Sequence, residues 1–407
     1  MIPREFYKID KPGYEVDEKK YRRFSVGQQA FTTLGEKDTG QTDMYLSLEK
    51  MFLRMAENIQ KNVTGKTKND YALDNGANAM NLLLGTYGMP NSQFLQWSPL
   101  FVPEFMQQRK IDISGGELTR QVKEAAVMYG SDLVGITGLD RKWVYQTDLF
   151  KPFIFEDVEA PVERQEAFVI PNSVNRVIVL ALAMNESYNQ RSPEVLASTA
   201  ASLGYSRMGI TAISLAEYIR SLGYIAIPCM NDTALSVPQA IDAGLGELGR
   251  HGLLMTPEFG PNVRLCKVLT DMPLLADSPV NFGMRAFCEQ CLACARACPS
   301  GAISSGERTW DGDCENNNPG VKKWFIKAEE CLKFWQENGT SCANCISVCP
   351  FTKGFLSEQC MECERCEITD GGCSLQVTTF LRHKYGYLEN KGWGNSSASP
   401  LLPRTGL

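Results

Sequence analysis

Apolar runs in the middle of the chain predict buried strands alternating with helices. Residues 174–184, 224–230 and 264–270 have strand length and the near-continuous apolar composition of strands buried on both faces. Between the first two runs, Ser192-Pro193-Glu194 predicts a helix start, and helical sequence continues, in one or two pieces, to Ser221. This alternation predicts an α/β layer.

Upstream of this region the signals are weaker. Residues 117–129 place apolar side chains on one side of a helix, and residues 132–137 have the composition of a short strand. The chain up to about residue 110 is polar, aromatic and irregular, with few periodic runs. Residues 156–171 are acidic and Pro-rich, which is typical of a surface connection. We therefore expect little regular structure in these last two stretches.

Charge and hydropathy exclude some classes of protein. The 407-residue chain has a net charge of −6 with scattered basic residues, and no apolar stretch is long enough to cross a bilayer. We therefore expect no nucleic acid partner. Arg22 and Arg23 are adjacent, but polar sequence follows them, so we interpret them as a surface pair and not as an export signal.

The distribution of cysteine is informative. None of the fifteen cysteines precedes Cys229, and thirteen lie between Cys288 and Cys373. A long cysteine-free half followed by a cysteine-dense segment indicates metal binding and not a disulfide scaffold. The three cysteines outside the spaced groups, Cys229, Cys266 and Cys314, are predicted to be core or surface thiols.

Two motifs within the dense segment predict a pair of 4Fe-4S clusters. The first is Cys288-x2-Cys291-x2-Cys294-x3-Cys298-Pro299, the bacterial ferredoxin run in which the fourth cysteine binds the other cluster. The second is Cys342-x2-Cys345-x3-Cys349-Pro350, with Cys331 as its missing member. The crossed pattern assigns Cys288, Cys291, Cys294 and Cys349 to one cluster, and Cys298, Cys331, Cys342 and Cys345 to the other. Zinc also accepts four thiolates, but two CxxxCP endings favour paired clusters.

A third cysteine group follows, without the CxxxCP ending. It consists of Cys360, Cys363, Cys366 and Cys373. Its spacing leaves two alternatives open: a bound metal (zinc or a further cluster), or free thiols or disulfides in an exported protein.

The scarcity of histidine limits the other cofactors. His251 and His383 are the only two histidines, so a His-rich haem or di-iron centre is not predicted. There is no GxGxxG after a strand and no Walker loop, which argues against nicotinamide and nucleotide chemistry. The D-x-H-x-x-G pattern of histidine-ligated corrinoids is also absent, so any corrinoid would have no protein histidine on its cobalt.

Together with these motifs, several stretches resemble the corrinoid-dependent reductive dehalogenases. They are Gly204-Tyr205-Ser206, residues 215–224, Ala243-Gly244-Leu245-Gly246-Glu247, Gly249-Arg250, and residues 257–264. Residues 287–299 and 330–351 are similar to the ferredoxin module of that family. The short predicted strand at residues 132–136 is similar to sequence that lies earlier in the chains of that family. The resemblance covers about residues 115–355.

The resemblance implies an α/β (α+β) fold, with a nitroreductase-like corrinoid domain fused to a bacterial two-cluster ferredoxin-like domain. These domains would span 115–280 and 281–355, with an N-terminal region at 1–114 and a Cys-containing tail at 356–407. The implied cofactors are two 4Fe-4S clusters and a base-off cobalamin without a histidine ligand. The implied reaction replaces a carbon-bound halogen by hydrogen in a small organohalide, with chlorinated alkanes a closer match than chlorinated aromatics.

The resemblance also implies roles for individual residues. Tyr205 would donate the proton, assisted by Arg264 and Asn231, because a fixed guanidinium favours the phenolate that proton donation leaves. Arg250 is the alternative cation. The predicted cofactor-binding residues are Gly244, Gly246, Gly249 and Arg250, with glycines allowing close approach of a corrinoid, although turns alone would explain them.

Partners and location are implied only by the resemblance. It implies a membrane anchor subunit, a membrane electron donor, and twin-arginine export to the outer face of the cytoplasmic membrane with removal of the signal. The oligomeric state is not predicted. Two other functions are considered: an epoxyqueuosine reductase-like tRNA-modifying enzyme, which the acidic charge disfavours, and a ferredoxin-type electron carrier, which would not need the long region before the clusters.

Overall fold

The computed structural model describes residues 8–39, 48–89, 94–108, 110–312 and 317–352. The helices are α1 (Ala30–Thr39), α2 (Glu49–Gln60), α3 (Lys68–Tyr87), α4 (Glu104–Gln107), α5 (Gly115–Met128), α6 (Glu186–Asn189), α7 (Val195–Ser221), α8 (Ser236–Asp242), α9 (Met284–Cys291), α10 (Ala293–Arg296), α11 (Ala328–Asn338) and α12 (Asn344–Ser347). The strands are β1 (Leu133–Gly138), β2 (Phe153–Glu156), β3 (Val162–Glu163), β4 (Phe168–Pro171), β5 (Arg176–Ala183), β6 (Ala226–Cys229), β7 (Glu247–Leu248), β8 (Leu254–Met255) and β9 (Val263–Thr270).

A four-stranded sheet forms the centre of the molecule. Its order is β1-β5-β9-β6 and each neighbouring pair is antiparallel. The strands predicted from the apolar runs are confirmed as β5, β6 and β9, and the short strand and the helix upstream of them as β1 and α5. Helix α7 is a single 27-residue element, and its N-cap is Glu194 and not the predicted Ser192.

Each face of this sheet carries a core. On one face, α5 and α7 cover Ile178, Leu180 and Val268. On the other face, α8 and the small β2-β4-β3 sheet cover Val177, Val179 and Leu269. Burial on both faces explains why these strands are apolar at nearly every position. The mixed α/β fold is thereby confirmed.

Two expectations about the flanking stretches are wrong. The region before residue 110 contains α1–α4, including a 20-residue helix, α3, which packs along α7. Residues 156–171 are not a simple surface connection, because β3 and β4 belong to a three-stranded sheet and Phe168 to Ile170 are buried. In both places the elements are short or half-exposed, so tertiary contacts determine them more than periodicity does.

The cysteine-dense segment packs against the α/β layer through two apolar clusters. One contains Met255, Phe282, Trp324 and Phe351 with Cys288 and Cys349. The other contains Met184, Ala197, Ala200, Ala343 and Ile346 with Cys345 at its edge. The third cysteine group, Cys314 and His383 lie outside the described residues. Among the described helices, none combines the length and apolarity that spanning a membrane requires.

Candidate active site and metal centres

Tyr205, Asn231 and Arg264 come together at one end of the central sheet. The Asn231 side-chain amide donates a 2.8 Å hydrogen bond to the Tyr205 hydroxyl. The Arg264 guanidinium lies over the Tyr205 ring, 4.9 Å from its centroid. An added Cβ on Gly204 would lie 2.8 Å from Arg264 Cγ, so the glycine before the tyrosine allows this approach. The three residues come from α7, the loop after β6 and the start of β9.

This arrangement suits proton donation by the phenol. Because the tyrosine oxygen accepts a hydrogen bond from Asn231, the hydrogen of the hydroxyl is free to point towards another molecule. A cation over the ring favours the phenolate left when that proton departs. The Arg264 Nε is buried, and within the part of the chain that the structure describes it has no hydrogen-bond partner. Their catalytic roles remain predictions, but the three predicted residues form one site.

Sequence reasoning missed the support beneath Asn231. Lys267 on β9 is fully buried, and its Nζ donates to the Met230 carbonyl at 2.7 Å and to Ser236 Oγ at 3.1 Å. The Asp232 carboxylate accepts a hydrogen bond from the Met230 amide at 2.9 Å. Both backbone groups of the residue before Asn231 are therefore held. A lysine in the middle of a strand, between Cys266 and Val268, is the sequence signal that could have identified this support.

The same loop stores backbone strain. Thr233 is fully buried at φ +63°, a conformation unusual for a β-branched residue and costing about 1–3 kcal/mol. The Tyr145 amide holds the Thr233 carbonyl at 3.0 Å, and the Thr233 hydroxyl donates to Asp232 at 2.6 Å. The loop that presents Asn231 is thus fixed on both sides.

The eight motif cysteines lie in two neighbouring groups. Cys288, Cys291, Cys294 and Cys349 interact electrostatically with one another and form the first group. Cys298, Cys331, Cys342 and Cys345 do the same and form the second group. These are the sets that the crossed pattern predicts. Cys294 also interacts with Cys345, so the groups are adjacent.

The environment of these thiols favours a cationic partner. Burial, followed by repulsion from the other thiols, raises the pKa of Cys288 to about 12, of Cys294 to about 11 and of Cys331 to about 12. Thiolate is the form that binds metal, so iron must supply the positive charge that offsets burial. Among the described residues, no three His, Cys, Asp or Glu side chains converge as ligands of a single ion do. A cubane differs in that each of its four irons takes its own thiolate.

The predicted cofactor-binding glycines have neighbours within the protein. An added Cβ would lie 2.3 Å from the Ser278 carbonyl oxygen at Gly244, where φ is +74°, and 2.0 Å from that of Met255 at Gly246. At Gly249 it would lie 2.6 Å from the His251 ring. Turn geometry and close packing therefore account for these glycines, and contact with a corrinoid remains a prediction.

Arg250 lies with the first cysteine group and not with Tyr205. Its guanidinium donates to the Cys288 carbonyl at 2.8 Å and lies over Trp324, 4.5 Å from the ring centroid. The neighbouring His251 is buried, and its Nδ1 accepts a hydrogen bond from the Leu253 amide. Of the two histidines, the described one is therefore engaged within the protein.

Comparison with known proteins identifies the family. Residues 105–274 match the sequence model of the reductive dehalogenase subunit, and residues 287–352 match that of the 4Fe-4S double cluster binding domain. Over 291 residues the chain is 42% identical to the tetrachloroethene reductive dehalogenase of Sulfurospirillum multivorans, covering 66% of this chain and 58% of that protein. Residues 105–274 therefore form a domain of the reductive dehalogenase family.

A solved structure supports the fold. The catabolic reductive dehalogenase NpRdhA, in complex with 3-bromo-4-hydroxybenzoic acid, matches with a TM-score of 0.59 at 21% identity, covering 85% of this chain and 44% of that one. The epoxyqueuosine reductase of Listeria monocytogenes is more distant, at 26% identity over 218 residues, covering 51% of this chain and 55% of that protein. The two predicted 4Fe-4S clusters are confirmed by the domain match.

Proposed function

We propose that this protein catalyses reductive dehalogenation, replacing a carbon-bound halogen by hydrogen with two electrons and one proton and releasing halide. The observation that carries the proposal is the Asn231–Tyr205–Arg264 arrangement in a chain that also holds two cysteine groups. The chain spans 58% of the length of its tetrachloroethene-reducing relative, so the activity of the whole protein is inferred and not carried over.

The residues around the site fit a corrinoid. When bound, a corrinoid supplies a cobalt centre that delivers electrons to the carbon–halogen bond. Beside the Tyr205 ring, Arg264 Nε is buried and has no hydrogen-bond partner among the described residues. A corrinoid carries amide side chains whose oxygens such a donor binds, so Arg264 would help to hold it. The engaged His251 agrees with a cobalt that takes no histidine from the described residues.

Three residues of this chain would supply the proton and control its release. Tyr205 would hold the proton on its hydroxyl oxygen and release it to the carbon that loses halogen. Asn231 would orient that oxygen through its 2.8 Å hydrogen bond, and Arg264 would stabilise the resulting phenolate. General acid catalysis of this kind contributes roughly 10²–10⁴-fold to the rate.

The test is halide release from Tyr205→Phe, purified without oxygen and supplied with reduced viologen and a chlorinated ethene. We expect release to fall by about 10²–10⁴-fold while iron and corrinoid contents stay at wild-type values. Tyr218→Phe is a matched control, because Tyr218 is a half-buried tyrosine on the same helix. Full activity in Tyr205→Phe would remove the proton-donor assignment.

The same preparation separates the alternatives. A wild-type protein that contains corrinoid but releases no halide, and that reduces epoxyqueuosine in tRNA, would be a tRNA-modifying enzyme. A protein without corrinoid would be an electron carrier. Rates on chlorinated ethenes, chlorinated alkanes and a halogenated phenol would assign the substrate class, which we propose to be a small chlorinated hydrocarbon.

We also propose a membrane electron donor, a membrane anchor subunit and a location on the outer face of the cytoplasmic membrane. The support is the family relationship, since such a donor would supply the electrons that the clusters carry. Fractionation of the native host, with mild protease treatment of intact spheroplasts, tests it: the protein should be found with the membranes and should be cleaved by protease added from outside. Recovery from the cytoplasmic fraction alone would contradict the proposal.

A further inference from the structure

A buried guanidinium lies beside the first cysteine group. Only 2% of Arg250 is exposed. It donates hydrogen bonds to the carbonyls of Cys288 at 2.8 Å, Ser304 at 2.8 Å, Gly306 at 2.9 Å and Glu289 at 3.3 Å. Its guanidinium carbon lies 4.5 Å from the centroid of the Trp324 ring. The side chain is therefore held in one position.

The charge of Arg250 is directed at the thiols. Its hydrogen-bond acceptors are uncharged carbonyls, and its largest electrostatic attractions are to Cys294, Cys288 and Cys291. Burial lowers the pKa of Arg250, while the thiols act in the opposite direction. An arginine stays protonated in proteins, so this position carries a fixed positive charge.

The second cysteine group has a different setting. The neighbours within hydrogen-bond distance of its thiols are uncharged: Ser300 Oγ lies 3.4 Å from Cys298 Sγ, and Ser192 Oγ and the Asn344 amide lie 3.8 and 3.5 Å from Cys342 Sγ. Reduction of a 4Fe-4S cluster adds one negative charge. A fixed cation stabilises the reduced form more than the oxidised form, and so raises the reduction potential.

We propose that Arg250 raises the midpoint potential of the first cluster, so that an electron shared between the two clusters resides mainly on the first. This role depends on the two clusters and not on the dehalogenase activity. It would make the first cluster the electron store of the pair. It also gives Arg250 a cofactor partner other than the predicted corrinoid.

The test is a potentiometric titration followed by electron paramagnetic resonance, on Arg250→Gln that retains eight irons, two clusters of four. The signal of the first cluster is assigned by its change in Cys291→Ser. We expect the equilibrium constant for reduction of that cluster to fall about tenfold, which is about 59 mV for one electron, with the second cluster nearly unchanged. Arg250→Lys keeps the charge and should restore most of the shift.

Arg308→Gln is the matched control. Arg308 lies over the same Trp324 ring at 5.9 Å, but its charge faces Glu15 at 3.4 Å and Glu289 at 3.7 Å. Its loss should shift the first-cluster midpoint potential much less than the loss of Arg250 does. An unchanged first-cluster potential in Arg250→Gln, or equal shifts in both clusters, would overturn the proposal.

A variant at the protein surface keeps the proposal testable if Arg250→Gln loses iron. Glu289 attracts Arg250 and its side chain is about half exposed (51%). Removing this negative charge in Glu289→Gln should raise the first-cluster potential selectively. No change there, with eight irons present, would overturn the electrostatic account.

Discussion

Replacing Lys267 by methionine tests the buried charge that supports Asn231. Methionine has nearly the length of lysine but carries no charge and no hydrogen-bond donor. Lys267→Met therefore removes the hydrogen bonds to the Met230 carbonyl and to Ser236, and takes a cation away from Asp232. The strained Thr233 two residues after Asn231 then has less to hold it in place.

The expected decrease in the free energy of unfolding follows from the polar groups that Lys267→Met leaves without a partner. An unpaired buried carbonyl costs about 1–3 kcal/mol. The Asp232 carboxylate keeps its bonds to the Met230 amide and to Thr233, so the larger cost of about 3–5 kcal/mol for breaking a buried ion pair does not apply in full. Relief from burying an ammonium group offsets part of the loss. We expect the free energy of unfolding to decrease by about 2 kcal/mol at pH 7.

The pH dependence separates charge from packing. Burial lowers the pKa of Lys267, so between its folded and unfolded pKa values the unfolded chain binds more protons. The free energy of unfolding of the wild type should therefore increase relative to that of Lys267→Met as the pH rises towards about 10.4, the pKa of lysine in the unfolded chain.

The assay is anaerobic urea unfolding followed by tryptophan fluorescence at pH 7 and pH 9.5. Lys110→Met is the control, since Lys110 forms a 2.8 Å surface ion pair with Asp271 and should contribute less than about 1 kcal/mol. Equal midpoints for wild type and Lys267→Met, with parallel pH profiles, would refute a buried charge at this position. Halide release per folded enzyme should also fall, because Asn231 loses its fixed position.

Three further changes test other parts of the molecule. His251→Gln should make the protein less sensitive to acid, because burial lowers the pKa of His251 to about 4. Below about pH 6.5 the unfolded histidine therefore binds more protons than the folded one, which destabilises the wild-type fold. Between pH 7 and pH 5 the free energy of unfolding should decrease by about 2 kcal/mol more in the wild type than in the variant. Gly246→Ala should destabilise corrinoid-free protein by about 3 kcal/mol, because its Cβ would meet the Met255 carbonyl at 2.0 Å, whereas Gly138→Ala, with open space around its Cβ, should not; equal melting temperatures would favour a cofactor role for Gly246. Cys298→Ala should halve the iron content measured by colorimetric assay, and an unchanged content would contradict the crossed pattern.

Local signals predicted the parts of the fold that are buried on two sides. Strand β5 is apolar at every position after Arg176, so its sequence indicates its structure without knowledge of its neighbours. Helix α3 does not have this property. It is rich in asparagine and glycine and only one of its residues, Tyr71, is buried, so contact with α7 determines it.

Some parts of the candidate site could also be predicted from local sequence, and others could not. Cysteine spacing predicted which thiols lie together, because a short motif constrains local geometry. The position of Arg250 could not be predicted, since its partner Cys288 is 38 residues away and joins it only after the cysteine segment folds onto the α/β layer. Lys267 was missed because the strand was predicted from its apolar residues, while Arg264, the other charged residue of β9, received a role through the family resemblance.

The apolar cluster between the second cysteine group and α7 has a consequence for biosynthesis. Ala343 and Ile346, next to Cys345, cover Ala197 and Ala200 near the start of the helix that carries Tyr205. Without iron the thiols of the second group are not linked to one another, so this cover depends on its apolar contacts, and uncovering it exposes α7 as well. Chains made during iron limitation should therefore be degraded as a whole by cellular proteases, and iron insertion protects the helix that carries Tyr205 from proteolysis.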